Sequence, residues 1–186
     1  MQEQIEQYIK GSMRNDPRCE EMLYRYCFAN LMKVCMRYHS NQDDATASFN
    51  KGMHKVFDKL KSYRSEGPFL GWVRTILVNT CLNDLNRVIK HTDREISEAD
   101  TVVYQTIPDV YANISEKEIL ALVQQLPAAP RTVFNLYVME GYTHEQIAKK
   151  IGIAAGTSKW QLNQARILLK DKLSQLSKNE ICIHAK

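Results

Sequence analysis

The sequence lacks the features that mark secreted, membrane-spanning or metal-templated chains. Its five cysteines are odd in number and no two stand in C-x-x-C spacing. A disulfide framework is therefore not expected, and reduced thiols fit a cytoplasmic protein. No run of eighteen apolar residues occurs, which leaves no candidate membrane span. The opening MQEQIEQYIKGSM has no basic start followed by an apolar core and does not read as a secretory signal. Neither a P-loop nor a G-x-G-x-x-G run is present. His144-Glu145 begins like H-E-x-x-H, but Ala148 stands at the second ligand position. Cys182-x-His184 offers two ligands where a zinc site takes three or four. The five histidines are scattered and form no nucleophile–base constellation. No catalysis, no cofactor and no metal are expected.

What the chain does have is helical period. Between Arg18 and Tyr38, Leu23, Tyr26, Cys27, Leu31, Val34, Cys35 and Tyr38 recur in steps of three and four. Cys27 and Cys35 belong to that series, which makes them core residues. Asn41 to Asp44 supply a break and an acidic first turn. A helix from about Asp44 to Leu60 follows, with Ala47, Phe49, Met53, Val56, Phe57 and Leu60 as inward positions. Ser65-Glu66-Gly67-Pro68 is a loop. A third helix, from about Phe69 to Lys90, carries Leu70, Val73, Ile76, Leu77, Thr80, Cys81 and Leu85. No β-hairpin signal appears in this half.

Residues 92–114, TDREISEADTVVYQTIPDVYANI, lose the period and hold no basic residue after Arg94. They read as a linker, because structureless loops of that length are uncommon inside compact domains. TVVYQTI is a candidate short strand without an obvious partner. Net charge runs +3 over 1–95, −3 over 96–114 and +4 over 115–186, a layout that suits two domains facing nucleic acid and a connector between them.

After the linker, Ser115 and Glu118 form a capping box for a helix ending near Leu126. Pro127 and Pro130 mark a turn. A helix from about Arg131 to Glu140 stops at Gly141. Thr143, with Gln146, caps the next, which ends at Ile151-Gly152. Gly156-Thr157 opens a last helix to about Leu176, and the tail SKNEICIHAK is expected to fray. Residues 143–170 match a helix-turn-helix rather than an ordinary αα-hairpin. Ile147 and Ala148 face inward, Gly152 relieves the turn, Ile153 plugs the gap, and Leu162, Ala165 and Leu169 hold the second helix. Thr157, Ser158, Lys159, Gln161, Asn163 and Gln164 then point outward, where a recognition helix meets base edges.

These residues resemble a known family. The stretch from Leu126 to Leu173, with its LPxxxRxVFxL opening and IGI-x-x-GTxK-x-x-L-x-x-AR run, is similar to region 4 of bacterial sigma factors. LYRYCFANLMKVCMRY, DDATASFNKGMHKVFDKLKSY and FLGWVRTILVNTCLNDLNR resemble region 2 of the extracytoplasmic-function (ECF) group, the last with Trp72, Arg74, Asn79, Asp84 and Arg87 at the family's offsets. The resemblance covers about residues 20–175. It implies an all-α chain of two small helical domains joined by a flexible linker: region 2 over 1–91, linker 92–114, region 4 over 115–178 and a tail over 179–186. It implies a subunit of bacterial RNA polymerase that docks on the β′ clamp and the β flap, captures the single-stranded −10 non-template strand and reads the −35 duplex. The residues it points to for −10 DNA are Tyr63, Arg64, Trp72, Arg74, Asn79, Asn83, Arg87 and Lys90, with Trp72 divided between strand capture and core packing. For −35 DNA they are Thr157, Ser158, Lys159, Trp160, Gln161, Asn163, Gln164 and Arg166. For polymerase docking they are Asp44, Asn50, Met53 and Phe57. An anti-sigma factor is a further candidate partner.

Two departures stand out. Asn50-Lys51-Gly52-Met53 replaces an acidic pair common in the family's second helix. Trp160, Gln161, Asn163 and Gln164 replace a small residue, an arginine, an aromatic or histidine, and an arginine. Either the helix reads an unusual −35 sequence, or −35 reading is weak and an additional recruiting factor docks on an exposed Trp160. The rival readings are a free-standing helix-turn-helix regulator that binds duplex DNA without polymerase, and an adaptor that keeps the fold without promoter reading.

Overall fold

The structure, a computed structural model, describes residues 2–93 and 115–184, with side chains over 3–85 and 115–175. It is all-helical, with no strand among the described residues. The chain divides into two compact units, Met1–Asp84 and Leu85–Lys186. The expected linker and its candidate strand TVVYQTI lie outside the described residues beyond Asp93.

The first unit holds α1 (Gln2–Ser12), α2 (Pro17–Tyr38), α3 (Gln42–Lys59) and most of α4 (Phe69–Asp93). The sequence reading gave no helix to 2–12, although Ile5, Tyr8, Ile9 and Ser12 fall at helical spacing. Asp16 starts α2: its carboxylate accepts from the backbone N–H groups of Arg18 and Cys19, and Pro17 takes the first helical position, where its missing N–H costs nothing. The Arg18 N–H first, and then the Cys19 thiol donating to Oδ2, hold the Asp16 carboxyl below its usual value. Asn41 caps α3. A short 3₁₀ turn, Leu60–Ser62, closes that helix and aims the chain toward α4.

The core of this unit is built from Leu23, Cys27, Leu31, Cys35 and Tyr38 of α2, Phe49, Met53 and Val56 of α3, and Val73, Leu77 and Cys81 of α4, all under 6% exposed. Burial pushes the Cys27 thiol up to about 12. Contact with Cys35, together with burial, raises the Cys81 thiol, with His39 opposing. These are packing residues, as the spacing predicts. Ala47 is a correction, because it is exposed rather than inward. Ala45 and Ser48 fill the core-facing positions beside it. One edge of the α3–α4 pair is polar. The Ser48 hydroxyl donates to Asp84 Oδ2 at 2.8 Å, Lys51 pairs with Asp84 Oδ1, and Lys55 Nζ donates to Thr80 Oγ1 at 3.1 Å. Burial raises the Asp84 carboxyl, but Lys51 and Ser48 outweigh it and hold the group below its usual value.

In the second unit, α5 (Glu116–Gln124) begins with the Ser115/Glu118 capping box. Then α6 (Ala128–Phe134) runs into a π turn, Asn135–Met139. Pro130 is a correction: instead of marking, with Pro127, a turn before a helix starting near Arg131, it sits in the first turn of α6, where a residue needs no intrahelical donor. Arg131, 4% exposed, donates from Nη1 to the Gln124 carbonyl at 2.7 Å and ties α6 to the end of α5. The cap at Thr143 starts α7 (His144–Ile151), and Gly152 ends it at φ 76°, left-handed geometry that costs a residue with a side chain about 1–2 kcal/mol. The last helix, α8, runs from Ala155 to His184, so the expected frayed tail is helical in backbone to His184. No Gly or Pro interrupts SKNEICIH.

Candidate nucleic-acid interface

Two surfaces gather the residues singled out from the sequence, one in each unit. In the first, the loop between the 3₁₀ turn and α4 folds back on itself. The Tyr63 hydroxyl donates to the Gly67 carbonyl at 2.6 Å, and Ser65 takes a positive φ of 57°. The Tyr63 ring packs against Phe69 (centroids 5.3 Å, edge-on) and Trp72 (5.3 Å, tilted 41°). Beside this cluster is an open pocket of about 390 Å³, lined among others by Tyr63, Arg64, Gly71, Trp72 and Thr75. Phe69 is the buried member. Tyr63 and Trp72 are half-buried, and Arg64 is exposed. Trp72 packs on Phe69 and also lines the pocket.

Gly71, Thr75, Asn79 and Asn83 are exposed at four-residue steps along α4. Residues at that spacing share a face. Asn79 and Asn83 thus extend from the pocket along the helix. Arg87 continues this row by register, while the side chains of Arg87 and Lys90 lie outside the described residues. Arg74 lines neither the pocket nor this row and is half-buried.

On α3, Asp44 and Asn50 are exposed, and the side-chain Oδ1 of Asn50 accepts from the Tyr24 hydroxyl at 2.7 Å. Phe57 is half-buried. Met53 is a correction. It is 1% exposed and belongs to the core, so it cannot meet a docking partner.

In the second unit, α7 and α8 cross as the two helices of a helix-turn-helix. Ile147 and Ile151 of α7 are buried against Leu162 and Ala165 of α8, and Ala148, Ile153 and Leu169 sit half-buried around them. The outward residues near the start of α8 differ from those the sequence suggested. Ser158 and Gln161 are 0% and 2% exposed. They share the buried face with Leu162 and Ala165, because positions 158, 161, 162 and 165 fall on one side of a helix. Both are removed from the outward set. Lys159 is exposed, and Thr157, Trp160, Asn163, Gln164 and Arg166 are half-buried. Trp160 is thus less open than an exposed anchor would be.

Ser158 has a partner that sequence reasoning missed. Its Oγ lies 2.9 Å from Nδ1 of His144, the first residue of α7. The His144 ring stacks on Tyr137 at 4.6 Å and 24°. Tyr137 stands in the π turn, whose i→i+5 bond is made by the Glu140 N–H and the Asn135 carbonyl at 3.0 Å. Desolvation lowers the His144 pKa, with the nearby charges of Lys159 and Arg166 acting in the same direction and Glu145 against it. The signal in the sequence was a polar residue, Ser158, at a position whose helical phase is apolar.

Helical DNA-binding proteins use a capped helix-turn-helix to enter the duplex and aromatic faces to hold single-stranded bases. Comparison with known proteins makes this specific. The family described as "Sigma-70, region 4" matches residues 116–169. The chain is 24% identical over 169 residues to the ECF RNA polymerase sigma factor SigM of Mycobacterium tuberculosis, covering 91% of this chain and 84% of that one. It is 27% identical over 150 residues to the ECF sigma factor EcfG of Rhodopseudomonas palustris, covering 79% and 78%. Among solved structures, the sigma factor RpoE of Bartonella quintana, in complex with the anti-sigma factor NepR, aligns over 83% of this chain and 96% of that one, with 19% identity and a TM-score of 0.49. Residues 116–169 thus match region 4 of the sigma-70 family, and the chain is similar over most of its length to ECF sigma factors.

Proposed function

We propose that this sigma factor captures the −10 strand on its first unit and reads the −35 duplex with α8, using residues 1–91 as region 2, 92–114 as linker and 115–178 as region 4. The observation that carries the reading is the pocket walled by Tyr63 and Trp72 with Arg64 on its rim. Single-stranded bases bind by stacking on aromatic faces beside a cationic group, and that is the chemistry gathered there. Asn79 and Asn83 add hydrogen-bonding groups along the path from the pocket. On α8, Thr157, Lys159, Trp160, Asn163, Gln164 and Arg166 remain as the duplex-facing set. Side-chain amides read adenine edges, and an indole meets thymine methyl groups. Few cations are needed there when polymerase supplies most of the phosphate affinity. Asp44, Asn50 and Phe57 are the remaining docking residues on α3.

The partners in this scheme are core RNA polymerase through its β′ clamp and β flap, promoter DNA including the single-stranded −10 non-template strand, an anti-sigma protein, and a recruiting factor where −35 reading is weak. The protein acts in the cytoplasm, where polymerase is. Among the described residues no helix is long and apolar enough to cross a membrane.

In vitro transcription with core polymerase over a library of genomic fragments tests the scheme. Specific starts that need this protein support it, and their alignment gives both elements. Stable binding to core with no starts would leave an adaptor. Tight duplex binding without polymerase would leave a free-standing regulator.

A further inference from the structure

We propose that His144 is a positioning residue for the recognition helix: through its hydrogen bond to Ser158, it fixes the roll of α8 and so decides which side chains face the −35 duplex. The proposal rests on α8 being the −35 reader.

Ser158 is fully buried on the face that packs α8 against α7. A buried hydroxyl is costly unless bonded, and His144 Nδ1 at 2.9 Å is the partner it has. Apolar packing alone tolerates small rolls of one helix on another, because dispersion contacts have no preferred direction. A hydrogen bond weakens steeply when bent, so this one pins the first turn of α8 to one orientation. The histidine is itself held. It begins α7 directly after the Thr143 cap, and its ring is stacked on Tyr137 from the π turn. Three elements thereby converge on one imidazole. The next residue after Ser158 is Lys159, which is exposed, and Trp160, Asn163 and Arg166 follow half-buried on the same helix. A roll of 20–30° would carry these groups about 2–3 Å across the helix axis, given the radius of a helix with its side chains. That is enough to break amide-to-base hydrogen bonds.

The test uses the full chain with core polymerase on two templates: a duplex promoter recovered with the wild-type protein, and a template pre-opened at −10 that carries no upstream duplex. His144→Phe keeps the ring and the stack but loses Nδ1. Expected is a drop of about ten-fold in initiation on the duplex, the order of one lost buried hydrogen bond. Initiation on the pre-opened template and affinity for core stay as in wild type. Ser158→Ala should behave alike, the double variant should be no worse than either single one, and His144→Gln, which keeps a hydrogen-bonding group, should recover most of the loss. Amide exchange over residues 156–165 should rise in His144→Phe. Wild-type initiation by His144→Phe, additive losses in the double variant, an equal drop on both templates, or unchanged exchange would each overturn the proposal. Wild-type protein that starts no transcripts fails the −35 reading instead. That failure is told apart because amide exchange needs neither polymerase nor DNA.

Discussion

A Cβ added at Gly52 would lie 2.5 Å from Cδ2 of Leu77, so α3 and α4 touch at a point where only glycine fits. Leu77 is itself 0% exposed, so its side chain can turn away only by repacking within the core. The glycine in Asn50-Lys51-Gly52-Met53, which departs from the family pattern, is therefore a packing solution. Gly52→Val is expected to destabilise the first unit by about 1–3 kcal/mol through overpacking, read as a lower midpoint in thermal or urea unfolding. Gly52→Ala should lose less, because the gain in helix propensity, about 1 kcal/mol, offsets part of the clash. An unfolding midpoint equal to wild type for Gly52→Val would show that the helices separate freely.

The aromatic pocket separates binding from folding. Arg64 is exposed, so Arg64→Ala should leave stability within about 0.5 kcal/mol. It should weaken binding of a −10 single strand and reduce the salt dependence of that binding by about one phosphate contact. Trp72→Ala removes a stacking face and should cost about 1–3 kcal/mol in strand affinity, together with a stability loss from its packing on Phe69. Fluorescence anisotropy of holoenzyme with labelled non-template strand measures the first effect, and unfolding of the free protein the second. Full strand affinity in both variants would move the −10 site elsewhere.

Gln161 gives an opposite expectation from the one its residue type suggests. It is 2% exposed, and its Oε1 meets no hydrogen-bond donor among the described residues. An unpartnered buried amide costs free energy, so Gln161→Met should raise stability by about 1 kcal/mol. It should also leave −35-dependent initiation close to wild type. A collapse of initiation with unchanged stability would return Gln161 to the reading surface.

His144 links pH to the stability of the helix-turn-helix. Its folded pKa is lowered from 6.5, chiefly by desolvation, so the unfolded chain binds the proton more readily than the folded one. The sign follows: stability is full above pH 6.5 and declines as pH falls from 6.5 through the lower folded value. Unfolding of the second unit followed from pH 8 to pH 5 should show that decline, and His144→Gln should flatten it. A stability that rises on acidification across this range would require a raised folded pKa and would contradict the desolvated site.

Much of the architecture is legible because it rests on local signals. Asn41, the Ser115/Glu118 and Thr143/Gln146 capping boxes, and Gly152 mark helix ends by chemistry that acts within four residues. Leu23, Cys27, Leu31 and Cys35 declare the core face of α2 by spacing alone. The π turn at Asn135–Met139 was not legible, since no residue type demands it. Residues 2–12 went unassigned because their short apolar stripe, Ile5, Tyr8 and Ile9, lies among many polar residues.

The sequence by itself determined most of the helices, their caps, the helix-turn-helix and the family resemblance, since each is written in residue type and spacing. Only the tertiary structure decided which individual positions turn inward where residue type and burial part company. Met53, Ser158 and Gln161 are inward although their chemistry or family position suggested contact with a partner, and Ala47 is outward although it is apolar. A helix phase is settled by the close fit of neighbouring helices, as at Gly52 and Leu77, and by single pairings such as His144 with Ser158. These join residues distant in the chain, so no local pattern records them.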